Sequence, residues 1–109
     1  MIKPNDFAKV DIRIGTILEV SPFPKAKKPA WQLRIDFGPE VGIKKSSAQL
    51  TQLYSPAELV GKQVVAVINF PPKQIADFSS EVLVLGLETE AGVVLLTADS
   101  PVSNGLRVF

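Results

Sequence analysis

The residues best suited to chemistry in this chain lie in one run, Asn69-Phe70-Pro71-Pro72-Lys73-Gln74-Ile75, and its continuation through Asp77, Ser79 and Ser80. They supply a cation, amides, a carboxylate and hydroxyls, which make either an ordinary polar connection or a binding surface. A second run, Ile43-Lys44-Lys45-Ser46-Ser47-Ala48-Gln49-Leu50, pairs two lysines with two hydroxyls, which can contact phosphates without reading sequence. A solvated edge strand guarded against pairing by its lysines fits the same residues. Cysteine and histidine are both absent, which removes disulfides, thiol nucleophiles, Cys/His zinc sites and every histidine-based triad. The carboxylates follow no cation-binding loop pattern, so the sequence calls for no metal and no cofactor. Acid–base work by Asp or Glu distant in sequence is the one catalytic route left, nothing points to it, and the expectation is a binding protein rather than an enzyme.

The elements that must position the polar run flank it. Val64-Val65-Ala66-Val67-Ile68 and Val82-Leu83-Val84-Leu85 are nearly uninterrupted apolar runs rich in β-branched residues, and both read as core strands. The two prolines between them cannot donate to a sheet ladder, so the chain must leave the sheet there as a polar loop pinned by rigid strands. With 109 residues and 46% hydrophobic content, residues 1–109 read as one domain with a real core. No apolar run approaches the ~20 residues that span a bilayer and no apolar signal segment opens the chain, so the expectation is a cytoplasmic protein without membrane insertion. The net charge is only +1, yet Lys25, Lys27, Lys28, Lys44, Lys45, Lys62 and Lys73 precede Glu81, Glu88, Glu90 and Asp99, which leaves room for a basic patch.

In chain order, Val10, Ile12, Ile14, Leu18 and Val20 alternate with polar residues and predict a long strand with one buried face, bent at Gly15. Ser21 to Pro29 holds three prolines and three lysines and reads as a loop, either a solvated turn or a basic rim. Trp31 to Phe37 alternates cleanly, with Trp31, Leu33, Ile35 and Phe37 on the apolar side. Ser55-Pro56-Ala57-Glu58 is a capping box with proline at the first helical position, and Gly61 stops that helix early. Val93 to Leu96 supplies another buried strand, and Leu106-Arg107-Val108-Phe109 ends the chain on residues that dock. Together with Phe7 they amount to more apolar surface than one subunit needs, which hints at a dimer. Five or six strands, a glycine-bent first strand and one short helix between the third and fourth predict a small closed β-barrel, a class whose five-stranded OB-fold type places nucleic-acid or oligosaccharide ligands on its face and loops.

Several blocks add a resemblance. Asp11-Ile12-Arg13-Ile14-Gly15-Thr16-Ile17, Ile35-Asp36-Phe37-Gly38, Tyr54-Ser55-Pro56-Ala57-Glu58-Leu59-Val60-Gly61-Lys62 and Asn69-Phe70-Pro71-Pro72 resemble the tRNA-binding domain family of OB-folds. Ser80 stands where that family has a serine within a Ser-x-Gly-Met element, whose Gly-Met is here Val82 and Leu83. Phe37-Gly38-Pro39-Glu40, Lys44 to Gln49, Asn69 to Ile75 and Ser80 to Gly86 are similar to the CsaA branch, free-standing bacterial homodimers described as secretion-related chaperones. The resemblance implies an all-β, five-stranded OB-fold over residues 1–109, with extra strands and turns at the C-terminus, that forms a homodimer. It implies two partners, tRNA and unfolded or precursor polypeptide. For RNA it points to Lys44, Lys45 and Lys73 on phosphates, with Asn69, Gln74 and Ser80 hydrogen-bonding sugars or bases. For polypeptide it points to an apolar groove built from Phe70, Pro71, Pro72, Ile75 and Phe78.

Overall fold

A computed structural model describes residues 1–109 throughout. A curled antiparallel sheet in the order β3-β2-β1-β4-β7 forms the barrel from β1 (Ile12–Pro22), β2 (Trp31–Asp36), β3 (Ile43–Ala48), β4 (Gln63–Val67) and β7 (Leu83–Val84). Two hairpins stand outside it, β5 (Lys73–Ile75) with β6 (Phe78–Ser80), and β8 (Gly86–Thr89) with β9 (Gly92–Leu95). Three one-turn helices complete the chain: α1 (Pro4–Ala8), α2 (Gly38–Val41) and the expected α3 (Pro56–Leu59), whose Ser55–Glu58 capping box forms as the sequence predicts. No helix is long and apolar enough to cross a membrane.

The core is Ile17, Leu33, Ile35, Phe37, Leu50, Leu59, Val64, Ala66 and Val82. Trp31 packs against its edge and donates Nε1–H to Tyr54 O at 3.1 Å, so it is a wall of the barrel and not a stacking platform. The Trp31–Asp36 alternation holds, because Leu33 and Ile35 both face inward along an unbroken ladder with β3.

The long first strand corrects the expected pattern. Its register against β2 shifts between Ile17 and Glu19, and this bulge turns Ile17 inward and Leu18 out to solvent. The bend falls there and not at Gly15. Gly15 is needed for another reason: a Cβ at that position would lie 2.7 Å from Phe37 Cδ1 and 2.8 Å from Ile35 Cγ2, both fully buried. Gly15→Ala should therefore overpack the core and cost about 1–3 kcal/mol, read as a lower urea midpoint with an unchanged slope. The second apolar run is also less buried than expected. Only Leu83 and Val84 pair with β4, Val82 fills the core, and Leu83 is exposed.

The C-terminal residues dock through their main chain. Ile14 N–H donates to Leu106 O at 3.0 Å and Val108 N–H to Ile12 O at 2.8 Å, so the tail extends the ladder of β1. Arg107 Nη2 donates to Ala8 O at 2.8 Å and ties the tail to α1. The side chains of Leu106, Val108 and Phe109 stay exposed, as do Ile2 and Phe7.

Candidate binding surface

Past β4 the two prolines do take the chain out of the sheet, and Asn69 to Lys73 and Gln74 are exposed. The ejected segment is a hairpin rather than an irregular loop. Its turn places Ala76 at φ +52°, and Gln74 Nε2 donates to Ala76 O at 3.0 Å across that turn. Asn69 does not project freely: its Oδ1 accepts from Asp11 N at 2.9 Å and its Nδ2 donates to Lys9 O at 2.8 Å. The side chain thereby staples the exit of β4 to the entry of β1.

Ser80 is likewise engaged. Its Oγ accepts from Ser47 N at 2.9 Å, Glu81 Oε1 accepts from Lys45 N at 2.9 Å, and Glu81 N–H donates to Lys45 O at 2.8 Å. Two side-chain oxygens thus stand in for strand carbonyls along the free edge of β3 and close the barrel. Lys44 and Lys45, adjacent in sequence, point to opposite faces of β3. Lys45 sits with its Nζ 5.3 Å from the centre of the Phe78 ring, while Lys44 is half-buried on the side of Ser46 and Ala48. Lys73 stands exposed at the base of the hairpin, and none of Lys44, Lys45 and Lys73 has a carboxylate partner.

A clasp that sequence reasoning did not find joins the hairpin to the loop after β1. Phe23, itself buried, packs on Phe78 at 5.4 Å between ring centres and 57° between planes. Lys25 Nζ lies 3.0 Å from Asp77 Oδ2, and its hydrogen bond holds the Asp77 carboxyl below the usual carboxylate range. A lowered folded value means that this contribution is present above the ordinary carboxylate range and is lost as pH falls through the lowered one. Both contacts span about fifty residues of sequence, and no local pattern announces them.

Between the hairpin, β3 and the segment around β7 lies a groove of about 540 Å³. Phe70, Pro71 and Ile75 line it from the hairpin side, Val82 from the barrel core, Leu85 from the segment after β7 and Leu95 from β9. Pro72 does not line it, and Phe78 is turned to Phe23 and Lys45 instead, so two of the five residues expected there lie elsewhere. Lys73, Glu81 and Glu88 are its charged members. The volume falls within the range of ligand sites, and the lining is a little more than half apolar, with Ser47, Gln49 and Ser80 among its polar members. It offers an apolar channel next to lysines, with the carboxylate of Glu81 committed to the Lys45 amide.

Residues 12–107 match the family described as "Putative tRNA binding domain". The chain is 36% identical over 107 residues to the methionine–tRNA ligase of Pyrococcus abyssi, covering 98% of this chain and 14% of the ligase. It therefore spans about one seventh of the length of the ligases it matches. Among solved structures, the CsaA chaperone protein from Picrophilus torridus is 55% identical with a TM-score of 0.96, each chain covered over 100% of its length. The chaperone CsaA from Bacillus anthracis str. Ames is 48% identical with a TM-score of 0.93, covering 100% of this chain and 99% of that one.

Proposed function

This chain belongs to the tRNA-binding domain family, with CsaA chaperones among its relatives, and from that membership we propose that it binds tRNA through the lysines around its hairpin. Residues 1–109 act as one OB-fold domain that holds its ligand and does no chemistry on it, in the cytoplasm. The observation that carries the reading is the set Lys44, Lys45 and Lys73: Lys73 on the hairpin, Lys45 over its Phe78 ring, and Lys44 on the opposite face of β3. None of the three has a carboxylate partner to displace before a phosphate arrives. Gln74 stands exposed on the same hairpin, and Asn69 and Ser80 serve by holding the hairpin and barrel edge in place. Lys44→Ala combined with Lys73→Ala should lower tRNA affinity about tenfold or more and reduce the salt slope by about 1.5, since each phosphate contact contributes roughly 0.7 to 0.9. An unchanged slope in electrophoretic titrations at several salt concentrations would remove both lysines from the interface.

The apolar groove favours a second ligand, an unfolded or precursor polypeptide, which would make the protein a chaperone of the export type. Lys73 is the one cation in the groove and Glu81 and Glu88 oppose it, so a phosphate gains little there, whereas apolar side chains leave water beside Phe70 and Ile75. A homodimer fits the remaining surface. The accessible area of 7133 Å² exceeds by about 1,200 Å² what a compact 11.8 kDa monomer shows, enough for an ordinary interface of about 800 Å² per partner. The exposed apolar side chains of α1 and the tail, tied together by Arg107, are the face we assign to it.

A further inference from the structure

Beside the apolar groove lies a second cavity of about 330 Å³, and the two share Gln49, Glu88 and Val93 along a common wall. The second cavity is polar, with Thr51, Gln52 and Lys28 among its lining. Gln49, Thr51 and Gln52 form no hydrogen bond within the chain, through main chain or side chain, so the donors and acceptors they carry are open to solvent or a ligand. Their segment is nonetheless fixed. Tyr54 N–H donates to Leu50 O at 3.2 Å, and Trp31 Nε1 holds Tyr54 O at 3.1 Å. The buried Gly92 backs Gln52 so closely that a Cβ there would lie 2.9 Å from Gln52 Cβ. The main chain of this segment is therefore in place before a ligand arrives, and only the side chains of Gln49, Thr51 and Gln52 remain to be ordered by it.

The chemistry of the lining selects the occupant. Primary amides carry both donor and acceptor, the same complement as a peptide group. Lys28 and Glu88 cancel in charge, which offers a phosphate backbone nothing, and no aromatic side chain lines the cavity to stack a base. We propose that this cavity seats the main chain of the small polar residues that follow an apolar stretch held in the neighbouring groove, with Gln49 and Gln52 hydrogen-bonding their peptide groups. The proposal rests on the polypeptide reading given above and adds a ligand class to it: an apolar stretch followed by several small polar residues.

Two labelled peptides test it by fluorescence anisotropy. One is a leucine–alanine peptide of about six residues, and the other is the same peptide extended by about six serine and glycine residues, roughly 20 Å more in extended form. The protein with Gln52→Ala, a change at a residue that lines the second cavity and not the groove, should bind the longer peptide about tenfold more weakly and the shorter one within a factor of two. An equal change for both peptides, or none for either, would overturn the assignment. Weakened tRNA binding with both peptides unaffected would hand the cavity to nucleic acid and overturn it as well. If the unaltered protein binds neither peptide, the polypeptide reading itself is lost, and this proposal with it. Gln52 is exposed, so the fold should survive, and Thr51→Val, which removes a hydroxyl at the same wall, should weaken the longer peptide in the same sense.

Discussion

Phe70→Asp should abolish binding of unfolded polypeptide while leaving the protein folded. Phe70 is 50% exposed at the mouth of the groove, so the folded chain already gives half its surface to water and loses little by the exchange. A bound apolar segment would cover the rest, and full burial of such a side chain contributes about 1.5–3 kcal/mol. The substituted carboxylate would also join Glu81 and Glu88 in the same groove and would have to be stripped of water by an apolar ligand. The expected result is a loss of about 100-fold or more in affinity for a reduced, unfolded test protein, with the melting temperature shifted by no more than a few degrees. Affinity for tRNA should fall less than tenfold, because Lys73 and Gln74 remain on the hairpin. Unchanged polypeptide binding would show that the groove is not where such a ligand sits.

Leu106→Asp with Val108→Asp should convert the proposed homodimer to a monomer in sedimentation velocity runs at micromolar concentrations. Both side chains are exposed on a tail whose main chain is held by β1, so the substitutions cost the isolated chain little. In an interface each would bury an unpaired carboxylate, which costs several kcal/mol, and symmetry repeats each one in the partner. The dissociation constant should rise by about 100-fold at least. Monomerisation would also weaken tRNA binding, because two linked basic surfaces raise the effective concentration of the second contact. A dimer that survives both changes would move the interface elsewhere, with the exposed Leu87 and Val94 of the β8–β9 hairpin as the next apolar pair.

Much of the barrel is legible in the sequence because its strands obey a local rule. Trp31 to Asp36 alternates without interruption, and a period of two needs no knowledge of distant residues. The capping box at Ser55 and Glu58 is legible for the same reason, since donor and acceptor lie three residues apart. The features that escape a sequence reading depend on partners remote along the chain. The Leu18 bulge reflects the pairing of β1 with two different strands, β4 at one end and β2 at the other. Gly15 is required by Phe37, and its type alone cannot separate a packing glycine from a bending one.

The candidate site divides along the same line. Lys73, Phe70, Pro71 and Ile75 stand about where their sequence neighbourhood places them, because prolines eject a segment from a sheet whatever surrounds it. Asn69 and Ser80 look identical to free hydrogen-bonding residues in a sequence, yet their partners, Asp11 and Ser47, lie 58 and 33 residues away. Phe78 belongs with the groove by apolarity and neighbourhood, while in the fold Phe23 and Lys45 claim it.

The most direct measurement is a side-by-side salt titration of the unaltered protein with bulk tRNA and with an unfolded polypeptide. With three lysines on phosphates, log affinity for tRNA should fall with a slope of about −2 to −3 against log salt, roughly a 30-fold loss between about 50 and 200 mM. Affinity for the polypeptide should stay flat or rise slightly over the same range, as burial of apolar surface does. A flat response for tRNA, or a polypeptide curve that falls in parallel with it, would contradict a basic edge and an apolar groove acting as two chemically separate grips.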